Sequence, residues 1–385
     1  MPTMTTRSLF APTAVSTLHL AFDLGNLRWA LAFTTTGGEP PPRVRVMPAR
    51  ELPTLDREIA RAKEHFHLSP NVPVVSCYEA GRDGFWLHRA LTARGITNTV
   101  IDSASIEVDR RKRRTKSDRL DVTALLALQG RAAAGDRRSW HPVHVPTDDA
   151  EDWRHLHREL ALLTRERTRS RSRIKGLLAS HGLRLSTLRN LHTQLADLRR
   201  WDGSPLPPRL HDRLLREWQR LTLVLTQQRT LIAGRRTLLA TSPDPAVHQV
   251  RQLLALRGIG EVSAWLYTLE FFAWRGFRNR RQVGALAGLT NARQSSGRFT
   301  RDLGISKAGN VHVRALAIEL AWSWLRHQPE SALSHWYTER FAAGGSRVRR
   351  IGIVALARKL LIALWRYLET GRLPTGARLK PGVAT

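Results

Sequence analysis

The stretch TLHLAFDLG, residues 17–25, decides the fold of the N-terminal part of the chain. It is an apolar run of strand length that carries one carboxylate, Asp23. A short joint of Gly25 and Asn26 separates it from a second apolar run, LRWALAFTT at 27–35, as in a β-hairpin. A carboxylate within a buried strand is costly unless it is paired or binds a metal. Asp23 is therefore a candidate functional residue.

Strand-like and helix-like patterns alternate along the next part of the chain. RVRVMP at 43–48 fits a third strand, 51–67 a helix, the Val-rich VPVVSCYEA at 72–80 a central strand, 83–94 a helix and TNTVID at 97–102 a last strand. With a further helix after residue 115, the order is β-β-β-α-β-α-β-α, that of a ribonuclease-H-like domain. The sequence predicts such an α/β domain at 17–146, after a disordered tail at 1–16.

The charge of the chain is strongly unbalanced. Its 385 residues include 62 Lys and Arg against 32 Asp and Glu, which gives a formal net charge of +30. A coding bias that favours Arg explains the excess of Arg over Lys but not the shortage of acids. Such a charge predicts a polyanionic partner, DNA or RNA.

Cysteine content and hydropathy exclude several classes of protein. Cys77 is the single cysteine, so the chain holds neither a disulfide framework nor a cysteine zinc site and suits a reducing compartment. The longest apolar run, IGIVALARKLLIALW at 351–365, is interrupted by Arg358 and Lys359 and is too short to span a bilayer. We expect a cytoplasmic protein that does not enter a membrane.

Two long amphipathic helices are predicted at 147–240. Apolar side chains recur every three or four residues in two seams, at Trp153, Leu156, Leu160 and Leu163 and at Leu214, Trp218, Leu221 and Leu225. The proline-containing WDGSPLPPR at 201–209 separates the seams. The pattern suits a coiled coil, and it leaves open whether the seams pack within one chain or between two. Arginines at every second position from 165 to 173 predict a surface for a nucleic-acid backbone.

The C-terminal region, 241–385, is predicted to be mostly helical. RQLLALRGIGEVSAWLYTLEF at 251–271 reads as helix, tight turn and helix, and further helices are expected at 307–327 and 347–370. The turn at Gly258 and Gly260 resembles that of a helix-hairpin-helix element, which can present backbone N–H groups to a phosphate. A plain helix connection is the alternative reading of the two glycines.

Two further aspartates lie in TKSDRLDVTALL at 115–126. Asp118 and Asp121 are three residues apart and so share one face of a helix. Taken alone, such a pair is more often a solvated face or a complement to the helix dipole. Glu79, however, follows the Val-rich strand at the edge where α/β sheets bind ligands, and the proposed topology places that strand beside the strand of Asp23. Four clustered carboxylates predict a site for Mg²⁺ or Mn²⁺, which prefer oxygen ligands.

A strongly basic stretch lies immediately before this pair of aspartates. It comprises Arg110, Arg111, Lys112, Arg113 and Arg114, with Lys116 two residues on. We interpret it as a phosphate-binding stretch that brings a nucleic-acid backbone to a site whose carboxylates would otherwise repel it.

Several motifs resemble the insertion-sequence 110 family of transposases, which is related to Piv-like DNA invertases. They are the acids Asp23 and Glu79, KSDRLD at 116–121, RIKGLLASHG at 173–182, LRGIGEVSAWLYTLEF at 256–271, LAGLTNARQSSGRFTRDLGISKAGNVHVR at 286–314 and VALARKLLIALWRYLETG at 354–371. The resemblance covers most of 17–375. One departure is Asp23-Leu-Gly-Asn26, where many family members carry a Lys or Ser-Lys.

The resemblance implies a RuvC-like domain in which Asp23, Glu79, Asp118 and Asp121 hold Mg²⁺. It implies a serine of the C-terminal region that attacks DNA and forms a 5′-phosphoserine. It also implies donor and target DNA as substrates, a structured guide (bridge) RNA as a partner, a dimer or tetramer, and a place at the bacterial nucleoid.

Three serines are candidates for the nucleophile: Ser295, Ser296 and Ser306. Ser296 precedes Gly297 and matches the Ser-Gly position of the family, so it is the preferred one. Ser306 lies before a helical pattern and is better explained as a helix N-cap. Candidate phosphate ligands are Arg173, Lys175, Arg298, Arg301, Lys307 and Arg314. For each of the last four taken alone, solvated surface is an equally good explanation.

The sequence thus predicts a metal-dependent DNA recombinase. A hydrolytic endonuclease of the Holliday-junction-resolvase type is the second hypothesis, because the same carboxylates could activate water. A nucleic-acid-binding protein with a degenerate site is the third.

Overall fold

The computed structural model describes residues 16–36, 40–102, 118–136, 140–296 and 299–381, with backbone alone for 118, 293–296 and 299–302. The chain forms two compact units, which divide between Val145 and Pro146. Most of the tail expected at 1–16 and the basic stretch at 110–114 with Lys116 lie outside the described residues.

The first unit is a five-stranded sheet with helices on both faces. Its elements are β1 (Leu18–Leu24), β2 (Arg28–Thr35), β3 (Arg43–Pro48), α1 (Leu52–His65), β4 (Val74–Glu79), α2 (Trp86–Thr92), β5 (Thr97–Ile101) and α3 (Asp118–Ala133). The spatial order of the strands is β3-β2-β1-β4-β5. Strand β1 pairs with β2 antiparallel and with β4 parallel. The element order is the one that the sequence predicts, and the class is mixed α/β as expected.

The two faces of this sheet differ in side-chain size. Leu20, Phe22 and Tyr78 belong to a large core that also includes residues of α1 and α2. The opposite face carries small residues such as Ala21 and Cys77, which pack against α3. Small side chains on this face let helix α3 lie close to the strands.

The second unit opens with two long helices, α4 (Asp148–Ala179) and α6 (Pro208–Thr241), joined through a segment with the short helix α5 (Leu191–Gln194). Thr147 caps α4 by accepting the amide of Ala150, and acids in the first turn complement the helix dipole. We call α4, α6 and the segment between them the arm.

The two long helices pack against each other, antiparallel, within the chain. Gln228 Nε2 donates to Thr164 Oγ1 at 2.9 Å, and Arg173 Nε donates to Glu217 Oε2 at 3.1 Å. Of the predicted seams, Leu163, Leu214 and Leu221 are buried and the other members are half-buried. The helices thus pair within the chain, but the two predicted seams do not face each other. Trp153 and Leu156 pack against the C-terminal core, whereas Leu214 and Leu221 belong to a separate core with Ile174 and Leu178.

The remainder of the second unit is mostly helical, as predicted. It contains α7 (Pro245–Ala255), α8 (Glu261–Tyr267) with a π-helical turn (Thr268–Phe272), α9 (Arg280–Leu286), β6 (Asn291–Ser296), β7 (Phe299–Ile305), α10 (Val311–His327), α11 (Ala332–Tyr337) with a second π-helical turn (Thr338–Ala342), and α12 (Ser346–Thr370). Its core includes Trp265, Phe271, Trp324 and Leu360. The leucines and Trp265 of the predicted 251–271 element thus supply part of this core.

The antiparallel hairpin of β6 and β7 is an addition to the predicted fold. It stands between α9 and α10, where the sequence NARQSSGRFTRDLGI lacks the strict alternation of apolar and polar residues that marks a strand. Within the described parts of the chain, no helix is long and apolar enough to cross a bilayer.

Candidate active site

Asp23 and Glu79 lie side by side at the ends of two neighbouring parallel strands. In the register of β1 and β4, Ala21 faces Cys77 and Phe22 faces Tyr78, so the next step along both strands brings Asp23 beside Glu79. Neighbouring strands lie about 4.8 Å apart, and side chains of matched parallel residues point to the same face. Because side chains alternate, this is the face of Ala21 and Cys77, which α3 covers.

Helix α3 brings its aspartates towards the same edge. Cys77 Sγ lies 3.9 Å from the carbonyl of Leu125, and Gln129 Nε2 donates to the carbonyl of Val75 at 2.9 Å. The helix therefore runs antiparallel to β4. One helical turn before Leu125 is Asp121, and two residues after Cys77 is Glu79, so the N-terminal end of α3 lies over the carboxyl ends of the strands.

The carboxylates at this edge are accessible to a ligand. Asp23 is half-buried, while Glu79 and Asp121 are exposed; of Asp118 only the backbone, the first residue of α3, is described. Among the side chains that the structure describes, no three His, Cys, Asp or Glu are grouped closely enough to hold a metal ion. The donor types nevertheless fit a hard divalent cation, because they are carboxylate oxygens.

The predicted nucleophile lies on the hairpin of the second unit. Ser296 ends β6 and pairs with Phe299, and Ser295 pairs with Thr300. The side chains of both serines, and Gly297 and Arg298 at the turn, are outside the described residues, as is the side chain of Arg301.

Ser306 lies at the opposite end of the hairpin, and the prediction that it caps a helix is wrong. Asn310 caps α10 instead, accepting the amides of His312 and Val313 at 2.9 and 3.1 Å. The Ser306 amide donates to Thr290 O at 2.8 Å, so it continues the pairing of the strands. Ser306 is exposed at the end of the strand, and four residues separate it from Val311, where α10 begins. Ser306 is therefore too far from the helix to cap it.

The turn between β7 and α10 is fixed by its backbone. Lys307 has a φ of +57° and Gly309 a φ of +95°, a region that favours glycine. A Cβ at Gly309 would lie 2.2 Å from the carbonyl oxygen of Leu286. The Asn310 amide also donates to Leu286, at 3.1 Å, so the end of the hairpin is held against α9.

A buried carboxylate connects this turn to the arm. Glu270, 3% exposed in the π-helical turn after α8, accepts two hydrogen bonds from the Arg158 guanidinium of α4 at 2.6 and 3.0 Å. Asn310 Nδ2 donates to the same carboxylate at 3.4 Å. Burial alone would raise the pKa of Glu270, but the hydrogen bonds and charge of Arg158 outweigh it and lower that pKa. Glu270 therefore stays ionised and joins the cap of α10 to α4.

Sequence reasoning did not single out Glu270 or Arg158. A signal was present, because Glu270 stands in the apolar run LYTLEFF as Asp23 stands in LAFDLG. A π-helical turn inside a helix is also frequent at functional sites.

Two of the predicted phosphate ligands are engaged within the protein. Arg173 is paired with Glu217, which is 5% exposed, and Arg314 Nη1 donates to the carbonyl of Lys307 at 2.8 Å. Lys175 and Lys307 are exposed. Neither Arg173 nor Arg314 is therefore a purely solvated arginine.

The turn of Gly258 and Gly260 connects α7 and α8 as predicted, but Gly258 has a packing role. Its φ is +84°, and its carbonyl accepts a hydrogen bond from Ser323 Oγ of α10 at 2.9 Å. A Cβ on Gly258 would lie 3.0 Å from the Cβ of His327. Gly260 is exposed and precedes the first turn of α8.

Comparison with known proteins agrees with these features. The family model "Transposase IS116/IS110/IS902 family" matches residues 250–336. The protein named "Putative transposase y4rJ" of Sinorhizobium fredii is 38% identical over 390 residues, which cover 96% of this chain and 97% of the relative. "Transposase for insertion sequence element IS1328" of Yersinia enterocolitica is 25% identical over 66% of this chain and 72% of the relative. The similarity to the Sinorhizobium fredii transposase extends along nearly the whole chain. It shows that the protein belongs to the IS116/IS110/IS902 family of transposases.

Proposed function

We propose that this transposase cuts and rejoins donor and target DNA through a metal-assisted serine nucleophile, Ser296, with its first unit acting as a RuvC-like, ribonuclease-H-like domain. The observation that carries the proposal is the placement of Asp23 and Glu79 side by side at the carboxyl ends of adjacent parallel strands, next to the N-terminal end of α3. Asp23, Glu79, Asp118 and Asp121 would hold Mg²⁺ or Mn²⁺. When bound, the ion would favour deprotonation of a hydroxyl and neutralise phosphate charge.

The serine step balances without an outside energy source. Ser296 Oγ forms a bond to the scissile phosphorus, the bond to the 3′ oxygen breaks, and the serine proton ends on the released 3′ hydroxyl. The product is a 5′-phosphoserine. Attack on it by another strand's 3′ hydroxyl restores the serine and reseals the DNA, since one phosphodiester replaces another.

Trapping the covalent product tests this proposal. The full-length protein is incubated with end-labelled DNA of its own element and Mg²⁺, then denatured, and labelled protein–DNA adduct is measured. We expect an adduct in the wild type and in the neighbouring control Ser295→Ala, and none in Ser296→Ala. Cut ends without adduct would contradict the serine mechanism and favour hydrolysis of the resolvase type. Retained DNA binding in Ser296→Ala controls for folding.

We also propose that a structured RNA of the element guides the choice of donor and target, and that a dimer or tetramer performs the reaction. The net charge of +30 supports a partner in addition to one DNA duplex. Purification from the native host followed by sequencing of the bound RNA should recover one defined RNA that maps beside the gene. Recovery of random cellular RNA alone would contradict guidance.

A further inference from the structure

Trp201 lies at the far end of the arm with its ring largely in solvent. Its side chain is 81% exposed, although a tryptophan buries 150–250 Å² when it finds a partner. The tip of the arm has a core of its own, built from leucines such as Leu178, Leu191 and Leu214, and this core includes no part of Trp201. The indole is thus not needed to fold the tip.

The backbone around the indole forms a densely hydrogen-bonded turn. The segment from Arg200 to Ser204 is a tight turn in which the Arg200 amide donates to Ser204 O at 2.8 Å and the Gly203 amide to Arg200 O at 3.0 Å. Asp202 accepts the hydroxyl of Ser204 at 2.6 Å and its amide at 3.1 Å. Arg200 donates to Ser204 Oγ and to Asp202, at 2.8 and 3.0 Å.

The base of the side chain is also fixed. A Cβ added to Gly182, just beyond the end of α4, would lie 3.1 Å from the Cβ of Trp201, so the two backbones are in close contact. The ring therefore projects from a fixed point. A preorganised aromatic of this kind loses little conformational entropy when a partner covers it.

The charge around the turn favours a nucleic acid as that partner. Arg199, two residues before Trp201, and Arg184, two residues after Gly182, are both exposed. Arg199 also donates to the carbonyls of Ala196 and Leu198, at 2.8 and 3.1 Å. Of the nearby acids, Asp202 is engaged with Arg200 and Ser204, and Asp197 is exposed, so exposed arginines outnumber exposed acids here. A flat aromatic flanked by cations matches a base that is free to stack and the phosphates beside it.

We infer that Trp201 is a stacking platform for an unpaired nucleobase, in a loop, bulge or single-stranded segment of RNA or DNA. Paired bases in a duplex offer no free face, so the contact selects for unpaired nucleotides. The inference concerns binding only and is independent of the serine and of the carboxylates.

A binding experiment with full-length protein tests the inference. The probes are a hairpin oligonucleotide with 2-aminopurine in its loop and the same stem as a blunt duplex, each made as RNA and as DNA. Affinity is measured by fluorescence anisotropy and stacking by quenching of 2-aminopurine, in wild type, Trp201→Ala and Trp201→Phe. Trp322→Ala, at another exposed tryptophan, is the matched control.

We expect Trp201→Ala to weaken hairpin binding between about fivefold and about a hundredfold and to abolish the quenching, with duplex affinity changed less than about twofold. Trp201→Phe should retain most of both, and Trp322→Ala should resemble wild type. The better of the RNA and DNA probes identifies the source of the base. The inference would be overturned if Trp201→Ala lost equal affinity for hairpin and duplex, or if its hairpin affinity were unchanged. A changed oligomeric mass in Trp201→Ala would also overturn it, because the ring would then contact a second copy of the chain.

Discussion

His157 is a buried imidazole among charged groups of the second unit. It is 6% exposed on α4, and burial, followed by the charge of Arg235, lowers its pKa to about 4. Arg158 and His312 act in the same direction, while Glu270 opposes them. The folded state therefore favours the neutral form of the His157 imidazole.

The folded state should lose stability when His157 is protonated. Its pKa is about 6.5 in the unfolded chain and about 4 in the folded one, so its contribution is present above pH 6.5 and is lost as pH falls towards 4. Between pH 7 and pH 5 the loss should be about 2 kcal/mol. Urea unfolding at the two pH values measures it, with His157→Asn expected to show a correspondingly smaller drop.

An exposed histidine on the same helix provides the control. His155→Asn should lose as much stability as wild type between the two pH values, because it leaves His157 in place. Equal drops in wild type and His157→Asn would contradict the assignment.

For single residues, the sequence predicts where a side chain lies in its strand or helix better than it predicts which side chain it contacts. Asp23 and Glu79 could be placed because each lies at the end of an apolar strand, and strand adjacency follows from the order of elements. The pairing of Arg158 with Glu270 joins residues 112 apart, and that of Arg173 with Glu217 residues 44 apart. No local pattern encodes such contacts, since they depend on how the helices pack.

At the scale of elements, the connection between hairpin and α10 depends on Gly309. Gly309→Ala places a Cβ at a φ of +95° and against the backbone of Leu286. We expect about 2 kcal/mol lower unfolding free energy and a displaced hairpin, with DNA cleavage reduced at least about tenfold. Thermal unfolding and the cleavage assay measure both.

Gly234→Ala is the matched control for that variant. Gly234 is in the interior of α6, and a Cβ there meets nothing within 4 Å. Alanine should be neutral or slightly stabilising at this position, because it favours a helix. Gly309→Ala with wild-type stability and cleavage would show that the turn tolerates a side chain.

The arm carries ion-paired and exposed arginines, and we expect the first kind to stabilise the fold and the second to bind nucleic acid. Arg173→Gln removes an ion pair with the buried Glu217, which keeps Arg220 at 2.9 Å, so we expect about 1 kcal/mol lower unfolding free energy. Arg169 is exposed on the same helix, and Arg169→Gln should instead lower the slope of log affinity against log salt by about one. A lower unfolding free energy in Arg169→Gln together with a lower salt slope in Arg173→Gln would contradict these roles.

Elements with strong periodicity could be predicted from the sequence, and those without it could not. The strands of the first unit and the helices predicted at 307–327 and 347–370 follow apolar patterns. The first of these helices, α10, begins only at Val311, because Gly309 has a positive φ that a helix does not allow. The hairpin of β6 and β7 has few apolar residues, and its pairing is held by backbone hydrogen bonds.

At the scale of the whole molecule, membership in a transposase family stands beside two neighbouring carboxylates, Asp23 and Glu79, at one edge of a sheet. Membership in the IS116/IS110/IS902 family accounts for a basic chain that processes DNA. We propose that Asp23, Glu79 and the N-terminal end of α3 hold a divalent ion. In this proposal the basic residues bind nucleic acid and the acids supply the chemistry.

Binding of Mn²⁺ shows whether Asp23 and Glu79 hold a divalent ion, and its measurement needs neither substrate nor guide RNA. Electron paramagnetic resonance of Mn²⁺ titrated with full-length protein should show binding in wild type and in the control Glu64→Gln, an exposed position on α1. Asp23→Asn and Glu79→Gln should each weaken it roughly tenfold or more, since each removes a charged oxygen ligand. Mn²⁺ affinity unchanged by both substitutions would contradict the account.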